Sequence, residues 1–282
     1  MTDLVLKNIN DFVKGSPYER VFKCLSEIQE ECFGDDIFFL ESLFLAYKDK
    51  DAYVIYAEAP NGVIMAAVYL LPCEYMGKRV YYLYSLGAKK AFRGRGLGAL
   101  IIERCKRFCD ENKTSFFLLP ANSRLYDYYK AQELDDCLFG VRERLIGFAE
   151  DEPQDYGSLY DLKKISADEY FVQREKYLTC LYGDAYISWD ERSLSFASGE
   201  FFISRKEGVI ISGYYDNRIF KVTEMLKENV ENIDDTLKVN ISRMLCEKCS
   251  LLGVNMAIID KNSPYALGYK MKKRGYFAFP HS

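Results

Sequence analysis

The chain has 282 residues, of which 49% are hydrophobic and 28% are charged, and its formal net charge at pH 7 is −4. This composition is typical of a globular protein and excludes an intrinsically disordered chain. The sequence contains no long block of like charges, no apolar run of the roughly 18 residues that a membrane span needs and no signal-peptide pattern. We therefore expect no nucleic-acid partner, no membrane partner and a cytoplasmic location.

Apolar residues recur at helical spacing in residues 18–33, 37–48 and 96–112, which predicts three helices. Two β-rich segments, AYVIYAEA and VIMAAVYLLP, flank Pro60-Asn61-Gly62. Asn-Gly supplies the positive φ of a tight hairpin turn, so these segments predict a β-hairpin. The other predicted elements of the first half are the strands DLVLKNI, RVYYLYSLGA, SFFLLP and CLFGVRERLIGF and the short helix NSRLYDYYKAQ. This order indicates a mixed α/β domain.

A glycine-rich segment, FRGRGLG, lies at residues 92–98, between a predicted strand and the long helix that follows it. Alternating glycines remove the side chains that would keep a ligand away from the backbone. The unpaired N–H groups and the positive dipole end of the helix predict a phosphate site there. The cations Lys89, Lys90, Arg93 and Arg95 either attract the phosphates or form a solvated rim. A Walker loop would need Gly-Lys-Ser/Thr, which is missing.

The segment FAEDEPQDYGS, residues 148–158, is acidic and contains proline and glycine, which predicts a domain boundary. We therefore divide the chain into domains at residues 1–149 and 150–282. The predicted elements after the boundary are the helix SADEYFVQREKYLTCLYG, the strands FFISRK, VIISGYY and IFKVTEML, the helix DTLKVNISRMLCEKCSLLG, the strand VNMAIID and the helical segment NSPYALGYKMKKRG.

This order repeats that of the first half, and Asn-Ser pairs at 122–123 and 262–263 fall at corresponding places. The repetition indicates an internal duplication. The second copy lacks the glycines, since the segment after its third strand reads KENVENIDD. We therefore expect no phosphate loop in the second half.

Cysteine and histidine usage argues against metal chemistry and against a histidine-dependent mechanism. The nine cysteines are scattered, and His281 is the single histidine. Cys246 and Cys249 have C-x-x-C spacing, but they fall within a predicted helix that has no second pair or histidine nearby. We interpret the cysteines as core residues of a protein in a reducing compartment and predict no metal site.

The strand YLYSLGA, the glycine loop and the helix behind it resemble the acyl-CoA-binding motif of the GNAT superfamily of N-acetyltransferases. The run Asn122-x-x-Leu125-x-x-Tyr128-Tyr129-Lys130 looks like that superfamily's second motif, in which a short helix carries a tyrosine near the coenzyme sulfur. The resemblance covers residues 50–147, and the second half is similar only as a degenerate copy. It implies an α/β (α+β) fold of GNAT type, with a mixed, mostly antiparallel central sheet flanked by helices, duplicated in tandem.

The resemblance also implies that the protein binds acetyl-CoA. In the superfamily the strand before the glycine loop splays from its neighbour and pairs with the pantetheine arm of the coenzyme. The implied cofactor-binding residues are Leu86, Gly87, Ala88, Arg93, Gly94, Arg95, Gly96, Leu97, Gly98 and Asn122.

The implied reaction is direct attack of a primary amine, on a small molecule or a peptide, on the acetyl thioester. Tyr129 is the implied general acid, and an N–H near Leu86 is the candidate donor to the oxygen that becomes anionic. Glu58, Glu74, a water chain and the C-terminal carboxylate beside His281 stay open as the general base. The superfamily usually follows its tyrosine with Gly-Phe, whereas this chain has Glu133-Leu134.

Two other functions are compatible with the sequence. One is a non-catalytic acyl-CoA-binding or regulatory protein, and the other is a module that binds an adenine nucleotide or phosphoanion without acyl transfer. The presence of Asn122 and Tyr129 in the second motif favours the enzyme, because a phosphate binder has no need of them. The acceptor is open, as is the choice between a monomer and a homodimer.

Overall fold

A computed structural model describes residues 2–12, 15, 17–137, 140–148, 161–197, 199–231, 233–249, 253–260, 266–271 and 275–276. In chain order its helices and strands are β1 (Asp3–Asn8), α1 (Glu19–Phe33), α2 (Ile37–Ala46), β2 (Tyr53–Glu58), β3 (Ile64–Tyr75), β4 (Lys78–Ala88), α3 (Leu97–Glu111), β5 (Phe116–Leu118), α4 (Ser123–Lys130), β6 (Asp135–Cys137), β7 (Gly140–Phe148), β8 (Leu162–Lys164), α5 (Ala167–Tyr182), β9 (Ile187–Ser188), α6 (Glu191–Ala197), β10 (Glu200–Ser204), β11 (Val209–Asp216), β12 (Ile219–Lys227), α7 (Asp235–Cys249), β13 (Gly253–Asp260) and β14 (Ala266–Tyr269). None of these helices combines the length and the apolar sequence that a membrane span requires.

The chain divides into two compact units. The first contains Met1–Cys137 and Ala266–Lys273, and the second contains Leu138–Tyr265 and Arg274–Ser282. These limits differ from the predicted division after residue 149, because β7 belongs to the second unit and β14 to the first. The predicted boundary segment itself lies mostly outside the described residues.

The first unit is built on a sheet with the strand order β1-β2-β3-β4-β5-β14-β6. Neighbouring strands are antiparallel except β4 and β5, which are parallel. The predicted hairpin forms between β2 and β3, where Gly62 has a φ of 77°. Helix α1 packs against β3 and β4. The prediction of a mixed, mostly antiparallel sheet flanked by helices is confirmed.

Strand β14 lies in a segment for which we predicted a helix. Its residues fall within NSPYALGYKMKKRG, and over Ala266–Tyr269 that prediction is wrong. The strand lies between β5 and β6, and Ala266, Leu267 and Gly268 are all buried there. A strand that is buried on both faces has no polar alternation, so a short apolar run of this kind cannot be distinguished from a helix by its periodicity.

The second unit has a sheet with the strand order β7-β13-β12-β11-β10-β8. Only β12 and β13 are parallel among these pairs. The predicted strand CLFGVRERLIGF forms β7 over Gly140–Phe148, in the second unit, whereas its first residue, Cys137, ends β6 in the first unit. The short elements β8, β9 and α6 were not predicted. Cys246 of α7 is buried among the apolar side chains of this unit, as expected of a core residue.

A fully buried ion pair joins α5 to β12. Arg174 Nε lies 2.8 Å from Glu224 Oε2, and Arg174 Nη2 lies 3.2 Å from Glu224 Oε1. The hydroxyls of Tyr170 and Tyr276 donate to the same carboxylate at 2.6 and 2.8 Å. Burial disfavours the charge of the guanidinium, but the carboxylate of Glu224 outweighs that effect and raises the pKa of Arg174. Both carboxylate oxygens of Glu224 are hydrogen-bonded.

Candidate functional site

Strand β4 carries a β-bulge near its end. Tyr69 of β3 lies opposite Tyr84, and Ala67 lies opposite Gly87, so one residue of β3 faces two of β4. Ser85, within the bulge, has a φ of 53°, which is unusual for a residue with a side chain. Strand β4 thus changes direction at this point.

The ladder between β4 and β5 is short. It joins Tyr81 to Phe116 and Tyr82 to Phe117. The rest of β4, which includes the predicted residues Leu86, Gly87 and Ala88, lies beyond the paired part of the ladder. Backbone groups outside a ladder are available to pair with an extended ligand.

The glycine loop connects this end of β4 to α3. Gly94 and Gly96 have φ values of 75° and 74°. A side chain at either position would meet no atom within 4 Å, so the backbone conformation, rather than lack of space, requires glycine there. Gly96 is also the N-cap of α3 and provides no side-chain cap. Within the part of the chain that the structure describes, no side chain caps the first-turn N–H groups of α3, which suits an anion.

Gly98 and Gly87 are needed for a different reason, which is close packing. A Cβ atom on Gly98 would lie 2.7 Å from the hydroxyl oxygen of Tyr128 in α4. A Cβ atom on Gly87 would lie 3.0 Å from the ring of Phe33 and 3.1 Å from the sulfur of Cys32. These two glycines let α4 and the end of α1 approach the candidate site.

The two arginines of the loop are held by nearby protein groups. Arg93 Nε donates to the carbonyl oxygen of Ala88 at 2.9 Å. Arg95 Nη2 donates to the carbonyl oxygen of Ala91 at 3.2 Å, and its guanidinium lies 5.2 Å from the ring centre of Phe92. Both side chains thus support the loop itself.

The lysines before the loop are held by α1. Lys89 Nζ lies 2.7 Å from a carboxylate oxygen of Glu27, and the backbone N–H of Lys90 donates to the carboxylate of Glu31. Helix α1 therefore fixes the segment that joins β4 to the loop. The ion pair of Lys89 agrees better with a rim than with a free cation that attracts a phosphate.

Tyr129 lies on α4 and is buried, with 7% of its surface exposed. The helix is held at its start by Asn122, whose side chain accepts a hydrogen bond from the N–H of Leu125 at 3.0 Å. Burial raises the pKa of Tyr129 to about 12, so its phenol stays protonated at neutral pH. The neighbouring Tyr128 is more exposed, and its ring centre lies 5.2 Å from that of Tyr129.

Several of the predicted residues come together in one apolar cluster. Leu97 and Tyr129 belong to its buried core, and Leu86 and Ala88 pack against that cluster. The end of β4, the start of α3 and the tyrosine of α4 therefore all contribute side chains to the core of the first unit.

Glu133 occupies the place where the resembling family has glycine. It has a φ of 60°, and Leu134 after it is buried. The turn after α4 thus takes a conformation that favours glycine, although the residue carries a side chain. Glu133 contributes only one distant ion pair, at 3.6 Å from Lys106, and its side chain is almost fully exposed.

Glu133→Gly should stabilise the protein by about 0.5–1 kcal/mol. The left-handed conformation costs a residue with a side chain about 1–2 kcal/mol, and the greater freedom of glycine in the unfolded chain offsets about half of that gain. Urea unfolding monitored by circular dichroism measures the change. Glu133→Ala is the control, because it removes the ion pair and keeps the unfavourable φ; equal stability of the two variants would contradict this account.

The candidate general bases are far apart in the sheet. Glu58 pairs with Ile64 at the hairpin end, which is the end where β4 leaves the ladder. Glu74 pairs with Arg79 at the opposite end of β3 and is exposed. His281 and the C-terminal carboxylate lie outside the described residues. On this topology Glu74 is remote from the bulge.

Sequence reasoning missed a polar side chain that reaches the bulge. Gln29 of α1 has 1% of its surface exposed, and its Nε2 atom lies 2.8 Å from Asp35 Oδ2 and 3.1 Å from Ser85 Oγ. The helical pattern contains a sign of this role, because Gln29 lies with the buried residues Leu25 and Ile28 on the apolar face of α1. A glutamine on that face requires hydrogen-bond partners.

Comparison with solved structures shows a shared fold. A conserved protein of unknown function from Enterococcus faecalis V583 matches with a TM-score of 0.64 and 11% identity, over 95% of this chain and 72% of that one. A GCN5-related N-acetyltransferase from Kribbella flavida matches with a TM-score of 0.55 and 13% identity, over 95% and 71%. A tandem GNAT protein from the clavulanic acid biosynthesis pathway matches with a TM-score of 0.60 and 10% identity, over 95% and 97%.

Sequence comparison identifies the domain that contains the site. No curated protein matches the sequence. Residues 18–133 match the model of the Acetyltransferase (GNAT) family. This segment includes the bulge of β4, the glycine loop and α4, and the first unit therefore carries a GNAT acetyltransferase-family domain at residues 18–133.

Proposed function

We propose that this protein is an N-acetyltransferase that transfers the acetyl group of acetyl-CoA to a primary amine by direct attack. The observation that carries the proposal is the combination of three features in the first unit. These are the end of β4 that has no ladder with β5, the N-terminus of α3 without a capping side chain from Gly96, and the buried phenol of Tyr129. Each supplies a different group that the reaction requires.

The backbone of the first unit fits acetyl-CoA. The N–H groups from Arg93 to Gly98 would hold the pyrophosphate, since Gly94 and Gly96 leave open space in front of them. The edge of Leu86–Ala88 that has no ladder with β5 would pair with the pantetheine arm. Asn122 would act through α4, because its side chain caps that helix.

The chemical roles follow from the same arrangement. The N–H of Leu86, beside the bulge, would donate to the carbonyl oxygen as that oxygen gains charge. Tyr129 would give its proton to the departing sulfur, and its raised pKa keeps that proton available. The acceptor would be an amine on a small molecule or a peptide.

We further propose that the first unit is the catalytic domain and that the second unit is a degenerate copy. Strand β12 shares two features with β4. It has a bulge, at Thr223, and its parallel ladder with the neighbouring strand, β13, ends at Val222, before the strand itself ends. The N-terminus of α7 differs from that of α3, because the carboxylate of Asp234 accepts a hydrogen bond from the N–H of Leu237 at 2.8 Å. A carboxylate there repels a phosphate, which supports the loss of coenzyme binding.

Isothermal titration calorimetry of the protein with acetyl-CoA, CoA and ATP, each alone, tests the proposed function. We expect acetyl-CoA and CoA to bind more tightly than ATP. Gly96→Glu should weaken acetyl-CoA binding about 10- to 100-fold, or about 1.4–2.7 kcal/mol, because it places a negative charge and a strained φ at the N-terminus of α3.

Gly183→Glu is the matched control. Gly183 also has a positive φ, 65°, and open space at its Cβ position, but it lies in the second unit at the end of α5. It should leave acetyl-CoA affinity unchanged. Preferential binding of ATP, or unchanged affinity in Gly96→Glu, would contradict the proposed function.

A further inference from the structure

The side chain of Gln29 connects two groups beside the bulge. Both of its amide hydrogens are used, one by Asp35 Oδ2 at 2.8 Å and one by Ser85 Oγ at 3.1 Å. Because Ser85 Oγ accepts this bond, its own O–H remains to donate. Among the described residues no acceptor of that O–H is found. Ser85 thus presents a hydrogen-bond donor, and Asp35 presents a carboxylate.

The position of these groups links them to the proposed reaction. Ser85 is the residue immediately before Leu86, at the point where β4 has left its ladder with β5. Its φ of 53° is strained for serine, and such strain is found at functional sites. Asp35 follows Gly34, the residue that ends α1, and is partly exposed. A donor and a carboxylate therefore lie on either side of one buried amide.

We propose that Asp35 is the general base for the acceptor amine, that Ser85 donates to the thioester oxygen, and that Gln29 is the positioning residue that sets the distance between them. This inference rests on the proposed function. An amide does not carry a proton from one partner to the other, so Asp35 and Ser85 act on different atoms of the reaction.

The reaction balances with these groups. The acceptor arrives as an ammonium and first releases one proton to solvent. The amine nitrogen then forms a bond to the carbonyl carbon and gives a second proton to Asp35. The carbonyl oxygen takes negative charge and is stabilised by the hydroxyl of Ser85 and the N–H of Leu86. The bond from carbon to sulfur then breaks, the oxygen returns its electron pair, and the sulfur takes a proton from Tyr129. Solvent returns Asp35 and Tyr129 to their starting states.

Aromatic side chains around the bulge indicate the class of acceptor. Phe33 packs over Gly87 and is 45% exposed. Phe39 of α2 and Tyr84 of β4 have ring centres 6.4 Å apart, and both are partly exposed. Exposed aromatic rings next to a carboxylate suit a cation with an apolar group. We therefore expect a primary amine that carries an apolar body.

Thiol release from acetyl-CoA with 2-phenylethylamine tests the proposal, and glucosamine serves as a polar amine for comparison. The phenyl compound should have a kcat/KM about tenfold higher or more, since its ring loses contact with water. Asp35→Asn keeps the acceptor of the Gln29 bond but cannot take a proton. It should lower kcat about 100-fold and leave acetyl-CoA affinity unchanged.

Asp36→Asn is the control for Asp35→Asn. Asp36 is the adjacent carboxylate, and its side chain caps α2 through the N–H of Phe39 at 2.9 Å. Asparagine is an equally good cap, so this variant should keep full activity.

Ser85→Gly relieves the strained φ while it removes the hydroxyl. It should lower kcat about tenfold and leave acetyl-CoA affinity unchanged, which the loss of a purely structural serine would not do.

Three results would overturn the inference and leave the proposed function intact in a protein that binds acetyl-CoA. They are full activity of Asp35→Asn, no turnover of 2-phenylethylamine, and no preference for that amine over glucosamine. Failure of the wild-type protein to bind acetyl-CoA would instead overturn the proposed function, and the inference with it.

Discussion

Replacing Tyr129 by phenylalanine should lower kcat by about 10²- to 10⁴-fold, the usual contribution of a general acid or base, and leave acetyl-CoA affinity nearly unchanged. The ring packs in the apolar cluster with Leu97, and phenylalanine preserves that packing. Only the hydroxyl is lost, so the departing sulfur would lose its proposed proton donor. Steady-state thiol release and calorimetric titration separate the two effects.

Tyr128→Phe is the matched control, since it removes a hydroxyl from the next residue of the same helix. It should change kcat little.

The pKa of Tyr129 is raised to about 12, so its deprotonation should not cause a loss of kcat below about pH 11. If Tyr129→Phe and the wild type have equal kcat values, a group other than Tyr129 donates the proton.

Arg174→Met should destabilise the second unit by about 3–5 kcal/mol, because it leaves the carboxylate of Glu224 buried without its counter-charge. Both side chains are fully buried, so water cannot replace the lost contacts. The double variant Arg174→Met, Glu224→Leu should recover part of this loss, since it removes the buried charge. The hydroxyls of Tyr170 and Tyr276 would still lack their acceptor.

Urea unfolding of the full chain measures these changes. Lys176→Met provides the comparison, because Lys176 forms a 2.6 Å ion pair with Glu228 and that pair is exposed. Exposed pairs contribute about 0–1 kcal/mol, so this variant should lose no more than that. If Arg174→Met lowers the free energy of unfolding as little as Lys176→Met does, water reaches Glu224.

Local pattern was sufficient for most elements of the first unit. Helices α1, α2 and α3 follow the apolar spacing, and the hairpin of β2 and β3 follows Asn61-Gly62. Strand β14 was missed because its neighbours, β5 and β6, are far away in sequence. No local pattern contains the information that Ala266 lies beside Cys137.

The glycine loop and Tyr129 were predicted from motifs, whereas the bulge was not. A bulge depends on register, and register is set when two strands pair. The role of Gln29 was missed for a related reason, since its partners Asp35 and Ser85 come together only when α1 packs on β4. The positive φ of Glu133 also has no local signal, because glutamate is not a residue that favours it.

The insertion of β14 between β5 and β6 has a consequence for biosynthesis. A ribosome completes β6 at residue 137 and reaches β14 only after the whole segment that forms most of the second unit. At 5–20 residues per second this interval is on the order of ten seconds, and during it the edges of β5 and β6 lack their partner strand. Open strand edges promote aggregation. A fragment that ends at residue 149 would carry these open edges permanently, so chaperone dependence should rise sharply when translation stops before residue 266.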